Sequence, residues 1–279
     1  MEIRVMRTED IPFAVEITDE EGWGYMEEDF KRLMDLEPEG CFVAFDRNER
    51  VGMLTTTSYG DIGWIGNVVV RSDRRQERIG AEIVRHAVGY LKGKPVSTLG
   101  LYSYMDSIKF YEGMGFSESF RVARLASVAS ASKKRGTNFA TRKTMPKIEV
   151  FDRKYFPGDR SRLLGRMLGD FPDFFFYVEE EDVLGYILGF CSPKACEIGP
   201  WVCDPGRPDV AEDLLVDCLT SLENTESAIA VPVENIKAVD IAKGQGFTEE
   251  FQVSAMFFES DHHGMNLDAV FGIGALEKG

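Results

Sequence analysis

Apolar positions in the first 126 residues switch between period two and period three-to-four, and each switch marks an element. The pattern predicts a strand over 3–6, then a helix capped by Thr8 that runs to about Asp19 with Pro12 in its first turn. A second helix is expected over 26–36, stopping before Pro38-Glu39-Gly40. Strands over 41–46 and 51–59 flank the polar turn Asp46-Arg47-Asn48-Glu49, and an apolar β-branched strand runs from Trp64 to Val70. A long helix begins near Arg78, with Ile79, Ile83, Val84, Ala87, Val88 and Leu91 on one stripe. A strand over 97–103, a helix over 106–113 and a strand over 116–126 complete the unit.

The order then recurs. The second half reads as a strand near 148–151, a helix near 160–168 and strands near 174–179, 183–190 and 196–203. A helix near 210–222, a strand near 227–232, a helix near 236–243, a strand near 251–258 and a tail from Ser260 follow. This reading leaves the second helix of the first half without a counterpart. Short segments repeat as well. Phe42-Val43-Ala44-Phe45, Val51-Gly52 and Ile65-Gly66-Asn67 return as Phe175-Phe176-Tyr177-Val178, Leu184-Gly185 and Ile198-Gly199-Pro200, each 133 positions on (42 to 175, 51 to 184, 65 to 198). Gly113-Met114-Gly115-Phe116 returns as Gly244-Gln245-Gly246-Phe247, 131 positions on. Two copies of one fold follow, a first domain over 1–128 and a second over 146–279. The Ser-, Ala-, Lys- and Arg-rich stretch 129–145 is expected to be an exposed linker. Strands mixed with helices imply an α/β or α+β sheet with helices on its faces.

Composition narrows the function. The chain's 279 residues are 44% hydrophobic and 11% aromatic, which suits two ordered domains with their own cores. Its net charge of -15 is uneven: residues 1–145 carry 21 Lys and Arg against 22 Asp and Glu, and the remainder 11 against 25. An acidic half argues against nucleic acid and is compatible with drawing a cationic small molecule into a cleft. Apolar runs are too short to span a bilayer, and the start of the chain lacks a signal-peptide pattern, so no membrane partner is expected and the cytoplasm is the expected location. The five cysteines, Cys41, Cys191, Cys196, Cys203 and Cys218, read as buried free thiols in a reducing compartment. Three scattered histidines, His86, His262 and His263, make neither a metal site nor a nucleophile triad, and no metal is expected.

The densest chemistry lies in Val68-Val69-Val70-Arg71-Ser72-Asp73-Arg74-Arg75-Gln76-Glu77-Arg78-Ile79-Gly80-Ala81. A buried strand enters a helix through a cationic turn. The first helical amides are unpaired, Gly80 permits close approach to the backbone, and Arg74, Arg75 and Arg78 add positive charge. The combination suits a pyrophosphate. Here the chain resembles the GNAT superfamily of acyl-CoA N-acyltransferases, whose Gln/Arg-x-x-Gly-x-Gly/Ala turn holds the CoA pyrophosphate. Arg75-Gln76-Glu77-Arg78-Ile79-Gly80 matches the first and last positions and carries Arg78 where the family has glycine. Tyr111-Glu112-Gly113-Met114-Gly115-Phe116 fits the family's Tyr-x-x-x-Gly-Phe, while its Asn-x-x-Ala is here Tyr104-Met105-Asp106-Ser107.

The resemblance covers residues 1–126 and implies two tandem GNAT-like domains, each a mixed, mostly antiparallel sheet flanked by helices, the second degenerate. It implies acetyl-CoA as co-substrate, held by Val68, Val69, Val70, Arg75, Gln76, Arg78, Ile79, Gly80, Ala81 and Ser107. Gly66-Asn67 would form the bulge that opens the strands for the pantetheine arm. Tyr111 would be the general acid toward the departing thiolate, a role that Ala242 at the matching place in the second copy cannot fill. Asp209 falls near the helix start of the second copy, where it would repel phosphate.

The implied activity is transfer of an acetyl group to a primary amine of a small acceptor, with the acidic half suited to a cationic one, by direct attack. A non-catalytic acyl-CoA sensor or partner-binding module is the alternative. The acceptor is expected between the domains, near Trp23 and Asp61, with the tail after Ser260 closing the cleft. Asp61, Asp19, Glu20, Glu21 and the end of the tail are all candidate bases, and oligomeric state is open.

Overall fold

The computed structural model describes residues 1–128, 134–192, 195–222, 225–260 and 264–279. The first copy runs β1 (Glu2–Val5), α1 (Ile11–Glu20), α2 (Glu27–Leu36), β2 (Phe42–Asp46), β3 (Glu49–Tyr59), β4 (Ile62–Val70), α3 (Ile79–Lys92), β5 (Thr98–Tyr104), α4 (Ile108–Glu112) and β6 (Phe116–Val128). Pro12 lies in the first turn of α1 as the pattern predicts. Thr8, however, opens a short 3-10 turn, and the chain enters the helix through Asp10, whose carboxylate accepts from the Arg7 amide at 2.8 Å.

Alternation along the strands sets the two faces. In β2, Phe42 and Ala44 pack with Ile83, Val84 and Leu91 of α3, while Val43 packs with Ile11, Ala14, Phe30 and Leu33 of α1 and α2. Helices therefore cover both faces of the sheet.

The second copy runs β7 (Asn138–Phe139), α5 (Met145–Asp152), α6 (Ser161–Asp170), β8 (Phe175–Glu179), β9 (Val183–Cys191), β10 (Cys196–Cys203), α7 (Pro208–Ser221), β11 (Glu226–Pro232), α8 (Ile236–Gly244), β12 (Thr248–Phe258) and β13 (Val270–Gly272). Here the sequence reading needs three corrections. The expected strand at 148–151 is the helix α5: Pro146 occupies its first turn, Ile148 and Phe151 are buried three residues apart, and Val150 between them is 58% exposed. Both N-terminal helices are thus present. The copy's first strand is β7, which pairs with β8 as β1 pairs with β2, and it lies inside the stretch read as linker. That stretch is pinned, because the amides of Arg135, Gly136 and Thr137 all donate to the carboxylate of Asp217 on α7. Third, the repeat slips by one residue in β8. Val178 faces Gly185 as Ala44 faces Gly52, so Phe176 and not Phe175 is the counterpart of Phe42. A slip of one residue turns a strand over, and Phe176 packs against α7 as Phe42 packs against α3.

The strands form one sheet in the order β1-β2-β3-β4-β5-β12-β6-β11-β10-β9-β8-β7, with β13 pairing to β10. The copies exchange their final strands. β12 of the second copy pairs antiparallel with β5, and β6 of the first pairs with β11, each strand lying beside the other at the centre. The join is filled by a shared core in which Tyr59, Trp64 and Phe120 of the first copy meet Phe151, Leu164 and Tyr186 of the second.

Candidate active site

The site begins where two parallel strands part. β4 and β5 pair from Ile62 and Thr98 to Ile65 and Leu101 and no further. At Asn67 the backbone turns left-handed, with φ 52°, and the register with β3 shifts between Met53 and Thr55. A bulge of this kind bends a strand away from its neighbour. Beyond it, Val69 and Val70 pair with β3 on one side, while Ser103 and Tyr104 of β5 pair with β12. The facing edges of β4 and β5 are left as a V-shaped slot, with backbone groups that need a partner.

The slot leads to the start of α3. The amide of Glu82 is the first to bond back, to the Arg78 carbonyl at 3.1 Å. The amides of Ile79, Gly80 and Ala81 form the unsatisfied first turn. Gln76 and Arg78 both adopt left-handed backbone, with φ 72° and 65°. Arg78 thus takes up a backbone conformation that favours glycine. Left-handed backbone in non-glycine residues costs roughly 1–2 kcal/mol each, and successive amides so arranged form a concave anion-binding nest. A methyl group on Gly80 would meet Phe110 at 3.4 Å and Val70 at 3.6 Å, ordinary contact distances, so the position tolerates only a small side chain. Arg74 is engaged by Asp46 and Glu77, and Arg75 by Glu21 and the Val70 carbonyl. Arg78 has no ion-pair partner among the described residues and is the cation available to a phosphate.

At the other end of the slot opens a cleft of about 660 Å³ between the copies. Tyr111 lines it with 7% of its surface exposed, and burial holds its phenol well above the usual tyrosine range, so the hydroxyl keeps its proton. That hydroxyl has no partner among the described residues. Val68, Ser107 and Trp23 share the cleft with Tyr111. Trp23 is held by its amide, which donates to the Thr18 carbonyl at 3.0 Å, and it bonds the exposed Tyr104. The tail folds back over the cleft as the sequence suggests, and its residues Ile273 to Glu277 line the wall. The Glu277 backbone presses on Gly66, where a Cβ would sit 2.4 Å from its carbonyl oxygen. Tyr59 and Trp64 donate to the Lys278 and Leu276 carbonyls at 2.9 and 3.4 Å.

Asp61 lies elsewhere. It sits in the turn between β3 and β4, its carbonyl accepting from the Ser97 and Thr98 amides where β4 and β5 begin to pair, well before they part. Glu21, one of the candidate bases, does line the cleft; Glu197, Glu226, Glu250 and Glu277 line it too and were missed. Glu197 on β10 meets Arg124 of β6 at 2.6 Å, and Arg124 also pairs with Glu250 of β12. Burial raises the Glu197 carboxyl above its ordinary range, although Arg124 works to lower it. Glu277 is hydrogen-bonded to Tyr25 and paired with Lys278.

The reading of five free thiols also needs correction. Cys191 and Cys196, register partners across the β9–β10 hairpin, form a disulfide with Cα atoms 4.1 Å apart, at the rim of the cleft. Cys41, Cys203 and Cys218 are free and buried. Among the described residues, no group of three or more His, Cys, Asp or Glu could hold a metal ion, and no helix is long and apolar enough to cross a membrane. His86 is exposed on α3 against Phe42, and His262 and His263 lie outside the described residues.

The equivalent slot of the second copy is filled by its own chain. β10 and β11 pair only from Cys196 and Ser227 to Ile198 and Ile229. β13 lies beyond that point, pairing Gly272 with Trp201 and Val270 with Val202. The Ile273 amide donates to the Ala230 carbonyl at 2.9 Å, which ties the tail to the other strand of the slot. Phe271 is fully buried against Trp201. The start of α7 is closed too: Pro208 has no amide hydrogen, Val210 and Ala211 donate to the Arg207 carbonyl, and Asp209 pairs with Arg207.

Comparison with known proteins agrees with this architecture. Residues 11–116 match the acetyltransferase (GNAT) family and residues 148–272 an acetyltransferase (GNAT) domain. A putative acetyltransferase from Pyrococcus horikoshii superposes with a TM-score of 0.85 at 25% identity, over 100% of this chain and 95% of that one. A GCN5-related N-acetyltransferase from Sphaerobacter thermophilus gives 0.68 at 15% identity, over 96% and 98% of the two chains. A tandem GNAT protein from the clavulanic acid biosynthesis pathway gives 0.66 at 12%, over 92% and 97%. No curated protein matches the sequence.

Proposed function

The chain belongs to the GNAT acetyltransferase family as two tandem copies, and from that premise we propose that it is an acetyl-CoA-dependent N-acetyltransferase of a small primary amine. The first copy binds acetyl-CoA and carries the chemistry, and the second walls the acceptor site. One observation carries the reading. A single cleft runs from Val68, Ser107 and Tyr111 of the first copy to Glu197, Glu250 and Glu277 of the second.

The open edges of Val68 and Val70 would pair with the pantetheine arm, and the amides of Ile79, Gly80 and Ala81, with Arg78, would hold the pyrophosphate. Acetyl-CoA supplies the thioester. The acceptor nitrogen, entering from the acidic side, forms the new amide bond as the carbon–sulfur bond breaks, and it gives up one N–H proton to solvent, which in turn restores the proton on Tyr111. Tyr111 keeps its proton because it is buried, and it stands ready to donate to the sulfur as negative charge develops there. Acidic groups around the cleft raise the local concentration of a cationic amine.

The test is thiol release from acetyl-CoA across a panel of primary amines. Amine-dependent release, with the N-acetyl product identified by mass spectrometry, is expected. A protein that binds CoA but releases no thiol with any amine would instead be an acyl-CoA sensor.

A further inference from the structure

Resting on the N-acetyltransferase reading of the same cleft, we propose that the acceptor is a small oligocation with at least two positive nitrogens, and that Glu197 of the second copy seats one of them.

The repeat supplies the first argument. Glu197 occupies the place that Trp64 holds in the first copy, 133 positions earlier, and their neighbours match: Trp64 faces Gly100 on the parallel strand, and Glu197 faces Ala228. Trp64 is fully buried. Glu197 stands between Cys196 and Ile198, which are 1% and 2% exposed, yet its own side chain opens on the cleft. A carboxylate in the middle of an inner strand is unfavourable unless something pairs with it.

Charge in the cleft supplies the second. Arg124 serves both Glu197 and Glu250, so this trio has two negative charges and one positive. Glu21, Asp29 and Glu277 are matched by Arg75, Arg32 and Lys278. Glu226, also on the wall, has no basic partner among the described residues. Among the described residues, two negative charges are left without a counter-charge, one at the Arg124 trio and one at Glu226. Independently, the Tyr102 hydroxyl, buried on the wall of the same cleft, has no hydrogen-bond partner among the described residues and marks a place where a polar group is missing.

Calorimetric titration of the CoA-loaded protein with 1,4-diaminobutane, spermidine and butylamine tests the proposal. The diamine and triamine should bind saturably, at least about ten-fold tighter than the monoamine, and more weakly as salt rises. Glu197→Gln and, separately, Glu226→Gln should each weaken diamine binding by roughly 10–100-fold, the loss of one charged hydrogen bond. CoA titration of each variant verifies that it is folded. Absence of saturable polyamine binding, equal affinity for butylamine, or unchanged affinity in Glu197→Gln would overturn the proposal. Amine-dependent thiol release with a neutral or anionic amine would sink it while leaving the acetyltransferase reading standing, whereas failure of the wild type to bind CoA would remove both.

Discussion

The two slots of this protein have one geometry and opposite fates. In the first, a bulge at Gly66-Asn67 parts β4 from β5 and the space between them stays open; in the second, a bulge at Gly199 parts β10 from β11 and β13 closes the space. The first slot ends at a helix with free amides, a left-handed nest and Arg78; the second ends at a helix satisfied by Arg207 and Asp209. Tyr111 at the first has Ala242 as its counterpart at the second. Parted strands expose backbone groups that must find partners somewhere. The second slot therefore does not merely lack residues; its parted strands are refilled by the tail.

Variants at matched positions can break or sharpen this contrast. The largest effect is expected at Tyr111. Tyr111→Phe should lower turnover by roughly 10²–10⁴-fold and leave CoA affinity nearly constant, as steady-state rates and CoA titration would show. Full turnover would mean that the thiolate leaves unaided.

Next comes the plug. Phe271→Ala should destabilise the fold by about 3–5 kcal/mol in denaturant melts, yet CoA should still bind once per chain. A second equivalent in calorimetry would mean that the plug alone, and not the closed start of α7, excludes the ligand.

A smaller effect is expected at Arg78. Its side chain is exposed and has no ion-pair partner among the described residues, so Arg78→Gln should leave the melting temperature close to that of the wild type. CoA affinity should fall by roughly 10–100-fold as the phosphate loses a charged partner. Unchanged affinity would move the pyrophosphate elsewhere.

The smallest effect separates function from stability. The Glu197 carboxyl is raised by burial, so its contribution to stability is fully present below the ordinary carboxylate range and is lost as pH rises through its own higher value. Wild type should therefore lose ground to Glu197→Gln as pH rises from acid to neutral. A melting difference that is flat with pH, or slopes the other way, would contradict the burial argument.

What the sequence disclosed and what it withheld divide along physical lines. Helix starts, turn glycines and the spacing of Tyr111 from Phe116 are local, and they were legible. So was the recurrence of Gly52 at Gly185 and of Ile65 at Ile198, which the register confirms. The slip in β8 was not legible, because Phe175 and Phe176 fit the repeat equally well until the strand's neighbours decide which face each one takes. Ile148-Glu149-Val150-Phe151 suits either period, and the exposure of Val150 settles it as helix. Arg124 and Glu197 lie on different copies, so nothing near either residue announces the other. The repeat did hold one unused signal: a glutamate where the first copy has tryptophan.

The central strand exchange has a consequence for how the chain comes to be folded. β6 begins at residue 116, but β12, which separates it from β5, begins only at 248. A ribosome releasing the first copy emits β5 and β6 well before the strand that must lie between them. Until then β5 has an open edge and the active-site wall bearing Glu250 does not exist. Long-range pairing of this kind slows folding and lengthens the time for which an edge can find a wrong partner. A chain stopped at Thr144 would carry every residue proposed to hold CoA and still lack the strand that joins β5 to β6, so the nascent first copy holds the proposed site only in outline.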